Sequence, residues 1–593
     1  MGFNKQSWRS RLYNSSGAPR EIFNYRLYIC VFVFGILGAV RGLDEGSISG
    51  SIAAIRFQER FGLSDPTKSE DAIAELKSNI ASMVQMGSIP GSLFAFLIVD
   101  RIGRIRSLQL MCVSWIAAVI IQITSKSLGQ LYAGRFLEGL PVGASVVIGP
   151  TMMSELAPKD IRGLCNCMFA GAVYFGVMLE YFTHYACAVH VPDHSDNQWI
   201  IPTSLKIMFG GIILIGSFFC VESPRWLMKQ GRVDDAYKAL SKVRNLPRDH
   251  AYVVSEISDV QDQIDYYQKS IGDATIWNLF KELFSKSVFY RLYIGIGCQL
   301  LGQWSGANAI TIYMPELVGL VGYRGTRKLL MTAVLGIVKL TSSYCTAFFL
   351  IDYLGRKKCL YMGITIQMVT ILYFGLFVAI VPNVDQEHYV MTPSESKAGV
   401  GALVMLYLSG VGWTMGFNSI QYLINSEMFP IRVRSFGTAI IMCFHFLNQY
   451  GNTKAVPSMM ISMKHSGTFF FFFGVLAVAL VWCWFTIPEI AGRSIESMEE
   501  LFSLPWYKIG RQGAQLAPDN SGVNRVRFDE DGLIDREAMI ESKRDEEFLE
   551  NATQASSAGG LTHKDTANTS INENASSSDE VDVAIGNDPE KKQ

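Results

Sequence analysis

Charge is scarce in this sequence. Asp, Glu, Lys and Arg make up 18% of 593 residues, where a soluble chain carries about 25%. Neither sign is in excess, since the formal net charge is −1. That balance gives no footprint for nucleic acid or any other polyanionic partner. No G-x-x-x-x-G-K-[ST] loop occurs, so ATP hydrolysis is not expected. No nucleophile–base pair or metal-ligating cluster stands out, so neither enzyme activity nor a metal or other cofactor is expected. Cysteine is present without a pattern: most of the 11 lie in apolar runs, as Cys30, Cys112, Cys298 and Cys443 do. Cys165 and Cys167 form a C-x-C with no second cluster. They read as small apolar packers, not as a disulfide or metal framework. The first 26 residues are polar and basic, and no cleavable signal is expected there.

Long apolar runs are what the sequence does have. Crossing a bilayer takes about 20 apolar residues. Such runs lie near 27–49, 79–99, 108–125, 129–153, 164–186, 203–221, 289–318, 328–351, 359–381, 399–425, 436–460 and 468–487. The expected fold is an all-α polytopic membrane protein of about twelve spans. The division is an N-terminal segment 1–26, a bundle 27–221, a charged loop 222–288 with short helices, a second bundle 289–487 and a tail 488–593. From 503 onward the tail is rich in Ser, Asn, Asp and Glu, which predicts disorder. Basic residues mark one side: Arg101, Arg104 and Arg106; Lys159 and Arg162; Arg356, Lys357 and Lys358; Arg432 and Arg434. By the positive-inside rule both termini and the 222–288 loop are cytoplasmic. The loop with Arg324, Arg327 and Lys328 runs against this, and four agreeing loops outweigh it. The plasma membrane is the expected location; oligomeric state is not set by the sequence.

Two strings occur twice at the ends of these runs. Asp100-Arg101-Ile102-Gly103-Arg104 recurs as Asp352-Tyr353-Leu354-Gly355-Arg356. Ser154-Glu155, with Pro158 and Arg162, recurs as Ser426-Glu427, with Pro430 and Arg434. A duplicated bundle with matched charged loops is the plan of a rocking transporter. Arginine binds carboxylate in a two-pronged way. Asp100, Arg101, Arg104, Glu155, Arg162, Asp352, Arg356, Glu427 and Arg434 are therefore expected to form a cytoplasmic gate that latches the halves together.

Further motifs follow in order: Gly42-Leu43-Asp44-Glu45-Gly46, Gly134-Arg135-Phe136, Glu222-Ser223-Pro224-Arg225-Trp226-Leu227, Gln303 with Ser305, Gly306 and Asn308, and Pro488-Glu489 with Gly492-Arg493-Ser494. With these, residues 25–502 resemble the sugar porters of the major facilitator superfamily, in a fungal-looking version. The resemblance implies the major facilitator fold, two six-helix halves, and a carbohydrate:proton symporter. It implies Arg135 as the partner of Asp44, the pair that would couple a proton. A carboxylate this deep in a span needs a partner or water. Glu45, Glu138 and Glu180 are further acids at membrane level, and Glu138 is placed to share Arg135.

The resemblance implies Gln303 and Asn308 as substrate ligands, because sugars need side chains that both donate and accept, plus an aromatic plate. Elsewhere the pocket departs from the family. Gly302 and Ala170 stand where glutamines are usual, and the tenth span reads Ser419-Ile420-Gln421-Tyr422. Tyr422 is the expected plate, and Gln421, His445 and Asn448 the expected new contacts. Lys339 lies within span eight. Its Gly-x-x-Lys stretch is similar to that of fungal quinate carriers, which points to an anionic ligand. The reading is a secondary transporter of a monosaccharide or related polyol, with a proton. A carrier of a sugar acid such as quinate, or a non-transporting nutrient sensor, are the alternatives.

Overall fold

The computed structural model describes residues 19–158, 162–271, 276–381, 391–418, 420–421, 428–429, 431–489, 502 and 509. Helix α1 (Tyr25–Ala53) shows how the sequence sets its elements. Asn24 Oδ1 accepts from the N–H groups of Arg26 and Leu27 at 2.9 and 3.2 Å, satisfying donors that a helix start leaves open. Its 29 residues outreach the ~30 Å hydrocarbon core of a bilayer. The short α2 (Ile55–Phe61) leads to α3 (Glu70–Ile102), α4 (Arg104–Ile123), α5 (Leu128–Leu156), α6 (Arg162–His190) and α7 (Asn197–Ser217). Four short helices follow, α8 (Pro224–Lys229), α9 (Val233–Arg244), α10 (Ala251–Ile271) and α11 (Ile276–Leu283). The second half comprises α12 (Lys286–Gln303), α13 (Ala307–Ile312), α14 (Met314–Leu320), α15 (Gly325–Cys345), α16 (Arg356–Ile380), α17 (Pro393–Trp413), α18 (Ile431–Ser462) and α19 (Lys464–Thr486). A π-turn, Thr346–Leu350, extends α15 into Ile351–Leu354.

Among the described residues, 9 helical stretches are long and apolar enough to cross a membrane. The remaining spans of the two six-helix halves are α6, the broken run α12–α14, and α18. That break differs from the continuous seventh span expected over 289–318. Gly306 has φ +85°, and a Cβ there would stand 2.7 Å from the Phe472 ring. Pro315 then removes a backbone donor at the start of α14. Discontinuous helices of this kind are tolerated where they face a buried polar site.

Within the first half α1 packs along α6 and α3 along α5. The α1–α6 contact is close because Gly42 and Gly46 carry no side chain. A Cβ at Gly42 would lie 1.8 Å from the Val173 carbonyl oxygen, and one at Gly46 lies 2.7 Å from Glu180 Cβ. Membrane helices associate through such small residues. Two seams join the halves, α3 against α18 and α6 against α15. The short helices α8–α10 form their own apolar cluster. Arg244 ties them to the first half: Nη1 donates to the Leu156 carbonyl at 2.9 Å, while Nε and Nη2 hold Glu256 at 2.9 and 2.7 Å.

Candidate functional site

The deepest charged side chains belong to the first half. Asp44 of α1 is 2% exposed. Lys206 of α7 donates to it at 3.1 Å. Arg135 of α5 lies 3.4 Å from the same oxygen, as an ion pair without hydrogen-bond alignment; its Nε donates instead to the Ile80 carbonyl at 2.8 Å. Lys206 also donates to Glu138 at 2.9 Å. Trp115 Nε1 and Gln122 Nε2 of α4 complete the Glu138 shell at 3.1 and 2.6 Å. Sequence reasoning gave Glu138 to Arg135; in the structure Lys206 takes that place and bridges both acids. Buried charges of this kind persist only when paired and hydrogen-bonded, and the Lys206 bridge meets that condition for Asp44 and Glu138. Lys206 was missed at the sequence level, although a lysine inside the 203–221 apolar run is the same signal that singled out Lys339.

A second polar set lies where α1 meets α13 and α18. Arg41 Nε donates to Glu45 at 2.9 Å. Gln449 Nε2 donates to Glu45 and to Asn308, both at 3.1 Å. Asn308 Nδ2 donates to Thr453 Oγ1 at 3.0 Å. Beside these, His445 Nδ1 stands 2.6 Å from Gln299 Oε1 and 3.3 Å from Gln303 Nε2. Gln299 was not anticipated; it lies one helical turn before Gln303 on α12. Gln303 Oε1, Gln299 Nε2 and His445 Nε2 are buried and meet no protein partner among the described residues. Buried polar atoms are almost always satisfied, so donors and acceptors left open together mark a place for a polar ligand or water.

Lys339 of α15 is 1% exposed. Its ammonium donates to Thr311 Oγ1 at 2.5 Å and lies 5.6 Å from the centre of the Tyr174 ring. No carboxylate pairs with it among the described residues. Tyr174 OH accepts from Trp413 Nε1 at 2.5 Å, so the α6–α15 seam and α17 meet here. Gln421 is buried, with Oε1 unpartnered among the described residues; Tyr422 lies outside them. Asn448 is not brought to this set: it accepts from Trp304 Nε1 at 3.3 Å and donates to the Phe444 carbonyl at 2.8 Å, beside exposed Phe444 and Leu447.

At the end carrying the basic loops, the arginine pairs stitch helices within one half. Arg104 grips Glu155 with Nε and Nη2 at 3.0 and 2.8 Å, and its Nη1 reaches Asp100 at 3.3 Å. Lys229 holds the other Asp100 oxygen at 2.9 Å. All four belong to the first half and its trailing helix, so these pairs do not latch the halves as the sequence led us to expect. Arg101 is exposed and makes no ion pair among the described residues. Arg434 donates to the Phe429 carbonyl at 3.1 Å, within the second half. Glu427 and the side chains of Arg162 and Asp352 lie outside the described residues.

The repeat reappears here as geometry. Gly103 and Gly355 have φ +95° and +86°, which a side chain would strain. After each one a helix starts without a local cap, and a distant glutamate supplies it. Glu222 accepts from the N–H groups of Arg104 and Ile105 at 2.9 and 3.2 Å. Glu489 accepts from those of Arg356 and Lys357, both at 3.0 Å. Both carboxylates thus sit on the positive end of a helix dipole.

At the opposite end a cavity of about 350 Å3 opens between the halves, lined by Ser49, Lys77, Ile312, Glu316, Lys328 and Met460 among others. Lys77 of α3 donates to Glu316 of α14 across it at 2.9 Å. Lys454 of α18 bonds Asn79 of α3 nearby.

Comparison with known proteins agrees with this architecture. Residues 30–502 match the family described as "Sugar (and other) transporter". The chain is 32% identical over 490 residues to a probable quinate permease of Aspergillus fumigatus, covering 82% of this chain and 89% of the relative. It is 30% identical over 492 residues to the quinate permease of Neurospora africana, covering 82% and 90%. Among solved structures it is similar to the proton:xylose symporter XylE bound to 6-bromo-6-deoxy-D-glucose, with a TM-score of 0.68, 21% identity, and 80% and 99% of the two chains covered. At that identity the likeness speaks for the fold.

Proposed function

Because this chain belongs to the sugar (and other) transporter family, we propose that it is a secondary transporter carrying a monosaccharide or related polyol by alternating access. The observation that carries the reading is the Gln299–His445–Gln303 chain with its open donors and acceptors. Amide and imidazole groups in a buried seam suit hydroxyls, which both give and take hydrogen bonds. Asn308, Gln449 and Gln421 extend the same chemistry. The basic loops support cytoplasmic termini, and the Lys77–Glu316 end then faces outward; the plasma membrane is the location proposed. Proton coupling belongs to the cluster of Asp44, Arg135, Glu138 and Lys206. There a gained or lost proton alters a balance that both cations already serve. The Arg104–Glu155–Asp100 knot makes the inner end of the first half rigid, so that it moves as a unit.

A second reading, a carboxylated polyol such as quinate, is favoured by Lys339. It is a buried cation without a carboxylate among the described residues, and the two named relatives are described as a probable quinate permease and a quinate permease. Uptake of labelled hexoses, pentoses, polyols and quinate, in cells lacking their own sugar carriers, separates these readings. Accumulation of a neutral solute that a protonophore abolishes supports the first. Uptake of quinate alone selects the second, and no uptake of any probe at verified surface expression would sink both.

A further inference from the structure

Glu180 and His184 of α6 have no part in the pairs described so far. Glu180 is 0% exposed. Among the described residues neither of its carboxyl oxygens has a hydrogen-bond partner. His184 Nε2 stands 4.0 Å away, beyond hydrogen-bond distance, and is itself without a hydrogen-bond partner among the described residues. Both side chains press against the backbone of α1 just beyond Asp44. A Cβ at Gly46 would lie 2.7 Å from Glu180 Cβ, and one at Gly50 2.2 Å from the His184 ring. No space remains there for an added donor side chain.

The groups facing Glu180 are Asp44 from α1, Glu138 from α5, Lys206 from α7 and His184 from its own helix. On α15, packed along the same helix, Lys339 is held by Thr311 and Tyr174. Three carboxyl groups therefore share the neighbourhood of two cations, and both cations are engaged elsewhere. Lys206 bonds Asp44 and Glu138, and Arg135 pairs with Asp44 and bonds the Ile80 carbonyl. An ionised carboxylate with no donor, inside a bilayer, is among the costliest arrangements a protein can hold. The neutral acid leaves only an ordinary polar group unmet.

We propose that Glu180 is the carboxyl that carries the transported proton, with Asp44 held ionised in the Lys206 bridge as the charge against which Glu180 is gained and lost. The proposal rests on the proton-coupled reading above and moves the proton's site from that cluster to the carboxyl beside it. Glu180 lies nearly three turns from the outer end of α6, nearer that end than the inner one, so loading takes place on the outward side and release follows when the halves rock. Losing the proton breaks the Glu180 O–H bond and leaves one more negative charge beside Asp44 and Glu138. That repulsion favours a rearrangement of the cluster.

The test uses full-length protein in phosphatidylcholine liposomes. Infrared difference spectra in light and heavy water at neutral pH report the C=O stretch of a protonated buried carboxyl. The wild type is expected to show this band, Glu180→Gln to lose it, and Asp44→Asn and Glu138→Gln to keep it. Glu180→Asp, which retains a carboxyl, should shift the band, and it guards against a fold lost in the first variant. In the same liposomes an imposed pH gradient drives uptake of labelled D-glucose, D-xylose, sorbitol or quinate, with unlabelled exchange measured in parallel. Glu180→Gln should collapse the ratio of accumulation to exchange. A band that survives Glu180→Gln, or an ionised Glu180–His184 pair with no band in the wild type, overturns the assignment. So does equal accumulation by wild type and Glu180→Gln. A wild type that accumulates no probe sinks the coupled reading itself, and the assignment with it.

Discussion

Removing the Lys206 ammonium would leave Asp44 and Glu138 facing each other without their shared cation. Breaking a buried ion pair by deleting one partner costs about 3–5 kcal/mol. Lys206→Met should therefore lower the melting temperature of the purified protein markedly. Adding Glu138→Gln removes one surplus charge and should recover part of the loss, which Lys206→Met alone or a mere packing defect would not allow. Lys339 leads to a different expectation. A hydrogen bond to a charged group contributes about 1.5–3 kcal/mol. Lys339→Gln should weaken an acid substrate by about tenfold to a hundredfold and leave a neutral one near its original affinity, read by competition against a labelled probe. The sequence singled out Asp44 and Lys339 because each is charged where an apolar run prevails, and Arg135 and Gln303 through the family resemblance. It could not supply partners. Lys206 meets Asp44, and Gln299 meets His445, only after helices far apart in the chain pack together.

The repeated Asp-x-x-Gly-Arg string proved to be a helix junction: a positive-φ glycine, a helix start, and a carboxylate borrowed from the end of the same half. Gly355→Ala would force a Cβ to within 2.6 Å of Glu489 Oε2 and strain φ at +86°. Loss of a cap costs about 0.5–2 kcal/mol and an unfavourable φ about 1–2 kcal/mol. The variant should lose stability by roughly the sum, and Glu489→Ala by the cap term only; thermal unfolding of both variants checks this. Apolar periodicity placed these long helices well, because length and hydropathy decide whether a segment crosses a bilayer. It did not foresee the broken seventh span. Gly306 and Pro315 were visible as letters, but in membrane helices such residues are common and often leave the helix intact, so only the packing of Phe472 against Gly306 tells this break from a harmless glycine.

Across the whole molecule, rocking requires the α3–α18 and α6–α15 seams to open at one end while the other stays closed. Lys77 and Glu316 bridge the halves at the end assigned outward. Paired cysteines there, Lys77→Cys with Glu316→Cys, should halt uptake when oxidised and restore it on reduction. Unchanged uptake in the cross-linked protein would mean that this end does not open. Tandem duplication made the two-half plan legible from short motifs alone. Where the halves touch was not legible, because seams such as Gly336 against Met178 depend on surface shape and leave no periodic trace in either helix.

The inventory of midmembrane charge reaches beyond stability to electricity. Arg41, Arg135, Lys206 and Lys339 face Asp44, Glu45, Glu138 and Glu180, four against four. With a proton on Glu180 the interior holds one surplus positive charge, and without it none. A carrier loaded with a neutral solute then moves that charge through the membrane field, at about 2.3 kcal/mol for a full crossing of 100 mV, and returns empty without sensing it. A carboxylate cargo cancels the surplus. Substrate-evoked current under voltage clamp should therefore steepen with hyperpolarisation for a sugar or polyol and stay flat for an acid, so that an electrode alone can report which class of cargo this seam was built to hold.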